Sequence, residues 1–173
     1  MKLRTLLLVI LMGHIFFSCS SAKIYFVRHG EKSLTVKVDP PLSAEGEQRA
    51  LDLKNLLEKK KIKRIYSTNT LRTISTAKPL ATFLSIPIGQ YAQDTMPKFL
   101  YSLLESGENA LVVGHSNTVL KMVQELELVP SKKEIPDNEY DNLYVVYLKS
   151  KNGGGGYLLR LKELKFGKPS LSK

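Results

Sequence analysis

Two histidines and two arginines supply the residue types from which chemistry on a phosphoryl group can be built. Arg28-His29-Gly30-Glu31 follows directly on the apolar run Ile24-Tyr25-Phe26-Val27, and Gly114-His115-Ser116-Asn117 follows on a second apolar run that starts at Ala110. Arg72 lies in Ser67-Thr68-Asn69-Thr70-Leu71-Arg72-Thr73, just beyond a third. The chain's remaining histidine, His14, sits in an N-terminal apolar stretch. A neutral imidazole can attack phosphorus and hold the phosphoryl group covalently. Guanidinium and amide donors can neutralise the non-bridging oxygens, and arginine offers a bidentate fork that lysine lacks. The departing oxygen calls for a nearby acid.

Roles can be assigned on this basis. His29 is the expected nucleophile, and Gly30 lets the backbone bend sharply and approach a ligand. Arg28 and Arg72 are expected phosphate ligands. His115, with the amides of Ser116 and Asn117 opening a helix, forms a natural anion site. Each feature is weak alone, because strand-end histidines are commonly structural and first-turn arginines commonly solvated. Three of them at the ends of three expected strands converge on one sheet edge, where open α/β sheets place their ligands.

The elements that must position these residues are legible. Short apolar, β-rich runs predict strands over Lys23-Val27, Ile62-Ser67, Ile86-Tyr91, Ala110-Gly114, Leu143-Leu148 and Tyr157-Leu164. Between them, Ser43 is a plausible cap for a helix to about Lys60, with Glu45 and Glu47 in its first turn and Ala50, Leu53, Leu56 and Leu57 as its apolar stripe. Thr70 to Ala77 reads as helical, with Pro79 breaking or restarting a helix that runs to Ser85. Thr95-Glu105 and Ser116-Leu126 complete the helices. Alternating strands and helices predict an α/β fold with a mostly parallel sheet covered on both faces. The last two strands are expected to form a hairpin through Lys151 to Gly156, whose glycines lack the spacing and following helix of a phosphate loop.

Arg28-His29-Gly30-Glu31, the Ser67-to-Ala77 stretch with Arg72-Thr73 and Thr76-Ala77, Gly114-His115-Ser116 and the turn Pro41-Leu42-Ser43-Ala44-Glu45-Gly46 together resemble the histidine phosphatase (phosphoglycerate-mutase-like) superfamily. The resemblance spans nearly all of residues 23–173 and suits a short, single-domain bacterial member. It implies a three-layer αβα sandwich with a mixed, mostly parallel sheet. It also implies a phosphohistidine intermediate on His29, a phosphate pocket of Arg28, Arg72 and His115, and no metal or organic cofactor. The implied activity is phosphomonoester hydrolysis, on a phosphorylated small molecule or a phosphoprotein. A non-catalytic phosphoryl-binding or envelope interaction module on the same fold is the alternative.

The superfamily's proton donor is commonly a glutamate between the second arginine motif and the second histidine, and no clear counterpart stands here. Asp94 occupies about the right interval, either as the acid or as an N-cap for the helix carrying Met96 and Pro97. Glu31 is expected to orient the loop. Without an acid, substrates with good leaving groups are favoured, such as phosphohistidine or an acyl phosphate. Only 42 residues separate Arg72 from His115, which leaves little room for the lid insertions of the sugar-phosphate mutases, so a phosphoglycerate-type mutase is the third and least favoured reading.

Lys2 and Arg4 precede the stretch from Leu6 to Phe17, which is too short to span a bilayer comfortably and matches a signal-peptide core. Phe16-Phe17-Ser18-Cys19 resembles a relaxed bacterial lipoprotein box, so residues 1–18 read as a lipoprotein-type signal peptide and Cys19 as the lipidation site. Residues 19–22 are then a short tether, and 23–173 the domain. Cleavage after Ala22, or loss of an unlipidated Cys19 with the leader, are the alternatives. The expected location is the bacterial cell envelope, lipid-anchored and extracytoplasmic or periplasm-facing. The lone cysteine excludes an intramolecular disulfide. The net charge of +10, or +8 without Lys2 and Arg4, favours anionic partners. No nucleic acid is expected. The basic run Lys59 to Arg64 reads as the solvated, dipole-complementing end of a helix.

Overall fold

A computed structural model describes residues 21–151 and 155–170. The leader, His14, Cys19 and most of the glycine-rich turn lie outside the described residues. Six strands form one sheet: β1 (Ser21–Arg28), β2 (Arg64–Ser67), β3 (Ile88–Gln90), β4 (Ala110–Gly114), β5 (Asn142–Ser150) and β6 (Tyr157–Lys165). Their order across the sheet is β3-β2-β4-β1-β5-β6. The first four strands run parallel, and β5 and β6 are antiparallel additions. The helices are α1 (Ala44–Leu57), α2 (Leu71–Leu84), α3 (Met96–Ser106) and α4 (Ser116–Glu125).

The period-two alternation of β1 explains the layers. Ile24 and Phe26 face one way and pack with Leu100 and Leu103 of α3 and Val119 and Val123 of α4. Tyr25 and Val27 face the other way, onto Leu53 and Leu57 of α1 and Ala77 and Leu80 of α2. Both faces of the central strands are therefore buried, which requires the near-continuous apolar runs seen in the sequence. The result is the expected three-layer αβα sandwich.

Three local outcomes differ from expectation. Residues Ser21 and Ala22, read as tether, belong to β1, where they pair with Lys149 and Leu148, and Ala22 is buried. Pro79 sits inside a continuous α2. Burial of Ala77, Leu80 and Ala81 against the sheet outweighs the one backbone hydrogen bond that proline removes. The basic segment 59–63 is not helical, because α1 ends at Leu57. The hairpin of β5 and β6 forms as expected, closed by Lys151 N–H donating to Gly156 O. Among the described residues no helix is long and apolar enough to cross a membrane.

Candidate active site

Arg28 is the last residue of β1, and the N–H of His29 extends the ladder by donating to Gly114 O at 2.9 Å. The same pairing sets His115 beside His29, with ring centroids 5.3 Å apart and planes at 70°. Thr70 is the N-cap of α2, so Arg72 falls in the first turn of that helix, beyond the end of β2. The sheet order places β4 between β1 and β2, which brings all four residues to one edge.

The hydrogen bonds fix the tautomers. His29 Nδ1 lies 2.7 Å from Gly30 O, an acceptor, so Nδ1 carries the proton and Nε2 a free lone pair. That lone pair faces Arg72 Nε–H at 3.2 Å. His115 Nε2 donates to Thr68 Oγ1 at 3.0 Å, since Thr68 spends its own hydroxyl proton on Thr73. Its Nδ1 is left facing Arg72 Nη2 at 3.5 Å. Arg72 therefore points two guanidinium nitrogens at the two imidazoles.

Burial chiefly, then neighbouring cations, disfavour protonation of both rings. Desolvation, with Arg28, His115 and Arg72 adding repulsion against the Gly30 carbonyl bond, lowers His29 to about 3. Desolvation, Arg72 and Arg28 lower His115 to about 4, opposed by Asp39. Both imidazoles are neutral at pH 7, the form in which an imidazole nitrogen can act as a nucleophile.

Arg28 has a second task. Its Nη1 donates to the carbonyls of Pro136 at 2.8 Å and Glu139 at 3.1 Å, and Nη2 meets the exposed Asp137 at 3.5 Å. The guanidinium also stacks 4.2 Å from the Tyr140 ring. Arg28 thus ties the loop before β5 to the sheet edge, and its buried Nε–H makes no hydrogen bond among the described residues.

Gly30 is required for a reason other than bending. A Cβ there would lie 2.7 Å from Gly46 O, and one on Gly46 would lie 2.2 Å from Glu31 O. The first turn of α1 packs directly on the loop that begins at His29, which is why glycine stands at both positions. Ser43 caps that helix through its bond to Gly46 N–H, as expected. Glu31 holds the buried Arg49 bidentately, at 3.0 and 2.9 Å from Nε and 2.6 Å from Nη2, which agrees with an orienting role. Thr76 Oγ1 accepts from Gly30 N–H at 2.9 Å.

One carboxylate at this site was not singled out from the sequence. Asp39 accepts from Leu71 N–H with both oxygens and lies 3.4 Å from Arg72 Nη1. It reaches α2 because Lys32 and Leu42 pair as an isolated bridge and fold the intervening loop back. Asp94 is not brought into this network. It is exposed and takes part in none of the hydrogen bonds or ion pairs of the site, and the N-cap of α3 is Thr95 instead. Ser116 and Asn117 open α4 and line a cleft of about 560 Å³ that continues past Lys121 and Lys133 to Pro136 and Asp137.

Residues 24–93, which include Arg28, His29, Gly30 and Arg72, match the model of the histidine phosphatase superfamily, branch 1. The fold is shared with solved structures. A protein described as mycobacterial hydrolase 2 is 13% identical at a TM-score of 0.67, over 88% of this chain and 93% of its own. The protein histidine phosphatase SixA, solved with tungstate, is 19% identical at 0.61, over 83% and 96%. YhfR of Bacillus stearothermophilus is 20% identical at 0.60, over 82% and 96%. No curated protein sequence matches the chain. The motif-bearing match over β1, α1, β2, α2 and β3, and the architecture shared beyond it, make this chain similar in sequence and fold to the histidine phosphatase superfamily.

Proposed function

We propose that this protein is a phosphomonoester hydrolase working through a phosphohistidine on His29. The observation that carries the reading is the lone pair of His29 Nε2, held neutral and aimed at the guanidinium of Arg72. When a phosphate group enters, its non-bridging oxygens take over the Arg72 donors and meet Arg28 Nε–H, His115 and the amides of Ser116 and Asn117. His29 Nε2 gives its electron pair to phosphorus, and the ester P–O bond breaks with its pair on the leaving oxygen. Water then attacks the phosphorus, the N–P bond returns its electrons to Nε2, and inorganic phosphate departs.

The carboxylate at the pocket, Asp39, is engaged as an acceptor by Leu71 N–H and Arg72. We read it as positioning Arg72 rather than protonating the leaving group. Substrates whose leaving groups need little protonation follow from this, such as aryl or acyl phosphates. SixA, described as a protein histidine phosphatase, supports including phosphohistidine among the candidates.

For location, we propose an extracytoplasmic, lipid-anchored protein. Cleavage after Ala22 would remove two residues of β1, one of them buried, whereas processing at Cys19 leaves the strand whole. Cys19→Ser then releases the protein from membranes, and an unchanged membrane fraction overturns the anchor.

The activity is tested by incubating purified protein with aryl phosphates, acyl phosphate and phosphohistidine. Phosphate release and an acid-labile phosphoprotein are expected, both abolished by His29→Ala. Binding of phosphate without turnover of any substrate would instead favour the non-catalytic phosphoryl-binding module.

A further inference from the structure

The edge of the sheet opposite the active site carries a cluster of cations that the catalytic reading does not use. Lys59, Lys60, Lys61 and Lys63 are all exposed in the loop between α1 and β2, and none is in an ion pair among the described residues. Two acidic neighbours are already engaged, Glu58 by Lys54 and Glu108 by Arg64. Lys61 adopts φ 54, a left-handed conformation in which glycine would be easier, yet a lysine stands there.

Asn109 fixes this loop in space. Its Nδ2 donates to Lys60 O and its carbonyl accepts from Lys63 N–H, both at 2.8 Å, while its Oδ1 accepts from Lys23 N–H at 2.8 Å. One side chain therefore ties the lysine loop to the start of β1. On the other side of β1, Ser21 pairs with Lys149, and Lys151 follows in the β5–β6 turn. The described chain thus begins between two groups of exposed lysines. The apolar stretch Leu6–Phe17 precedes that point by only a few residues.

We propose that this edge docks on an anionic lipid surface and orients the domain with its phosphate pocket facing away. Charge complementarity selects the partner, since juxtamembrane lysines are drawn to anionic headgroups. The polarity of β1 sets the orientation, because Ser21 and His29 lie at opposite ends of an eight-residue strand, about 25 Å apart. The orientation rests on the anchor reading above, whereas headgroup binding does not. Substrate then reaches the pocket from solvent rather than from the bilayer that carries the protein.

The test compares co-sedimentation of the full chain with vesicles of pure phosphatidylcholine and of equal parts phosphatidylcholine and phosphatidylglycerol. Binding to the anionic vesicles is expected to be stronger and to weaken with added salt. In a variant with Lys59→Gln, Lys60→Gln, Lys61→Gln and Lys63→Gln it falls roughly 1,000-fold, while binding to neutral vesicles is unchanged. A charge-matched variant with Lys78→Gln, Lys98→Gln, Lys162→Gln and Lys168→Gln keeps the anionic preference. Retained preference in the first variant, or equal loss in the second, overturns the proposal. So does tighter binding of a single-stranded oligonucleotide than of anionic vesicles, lost in the first variant, which would assign the patch to nucleic acid. Phosphatase turnover, measured on the same samples, reports separately on the catalytic reading.

Discussion

The Nε–H of Arg72 lies 3.2 Å from Nε2 of His29, so a cation faces the lone pair of the nitrogen proposed to attack phosphorus. The contact keeps the ring in one orientation and disfavours its protonation. It also puts the proposed phosphate ligand within reach of the proposed nucleophile. A phosphate entering the pocket has only to exchange ring nitrogens for oxygens around a guanidinium already in place.

Arg72→Ala is expected to cost about 2.7–4 kcal/mol of transition-state stabilisation, by comparison with loss of an oxyanion donor. That is a 10²- to 10³-fold fall in kcat on an aryl phosphate. Steady-state kinetics checks it, and near-native kcat would remove Arg72 from the pocket.

The histidines give a pH signature. An unfolded histidine titrates near 6.5, whereas His29 is lowered to about 3 and His115 to about 4 by burial and by the arginines. Between these values the unfolded chain binds protons that the folded chain does not. Stability is therefore full above about pH 6.5 and falls as the pH drops towards 4 and then 3. Thermal unfolding across that range should show the decline, and NMR titration should find neither ring protonating near 6.5. In Arg72→Ala both rings titrate higher, because the same cation repels a proton at each.

Gly46→Ala tests the packing of α1 on the loop that begins at His29. The new methyl would lie 2.2 Å from Glu31 O, so backbone must move. A loss of about 1–3 kcal/mol is expected from overpacking, with a fall in turnover because the loop begins at His29. Denaturant unfolding and kinetics on the same sample check both. Wild-type stability together with wild-type turnover would show that the loop yields without consequence.

Leaving-group dependence separates two roles for Asp39. As a positioning residue for Arg72, it should affect aryl and alkyl phosphates by the same factor when changed to asparagine. As an acid, it would hurt the alkyl ester far more. The expected result is an equal loss, on top of a wild-type preference for acidic leaving groups.

Much of this site is legible in the order of the amino acids alone. His29, Arg72 and His115 stand at or just past the ends of short apolar runs, and parallel strands deliver such positions to one edge. What the order of residues hides depends on partners far apart in the chain. Asp39 sits in a polar loop with no local signal, and only the Lys32–Leu42 bridge turns it onto α2. Gly30 is legible as a necessary glycine, but not that Gly46 is what necessitates it. The tie from Arg28 to Pro136 spans 108 residues and follows from packing alone. Pro79 misleads in the opposite direction, since a local rule against proline in helices yields where the helix is buried.

The hydrogen bond from His29 N–H to Gly114 O has a consequence for how the protein comes into being. The Arg28-His29-Gly30 motif is made early in synthesis, but the strands that flank it, β4 and β5, emerge only after residues 110 and 142. Closing contacts of such long sequence separation is slow. A nascent or truncated chain can carry Arg28-His29-Gly30 in full and still have no site. On the proposed function, phosphate release would thus report that the chain has been made through β5 and has folded.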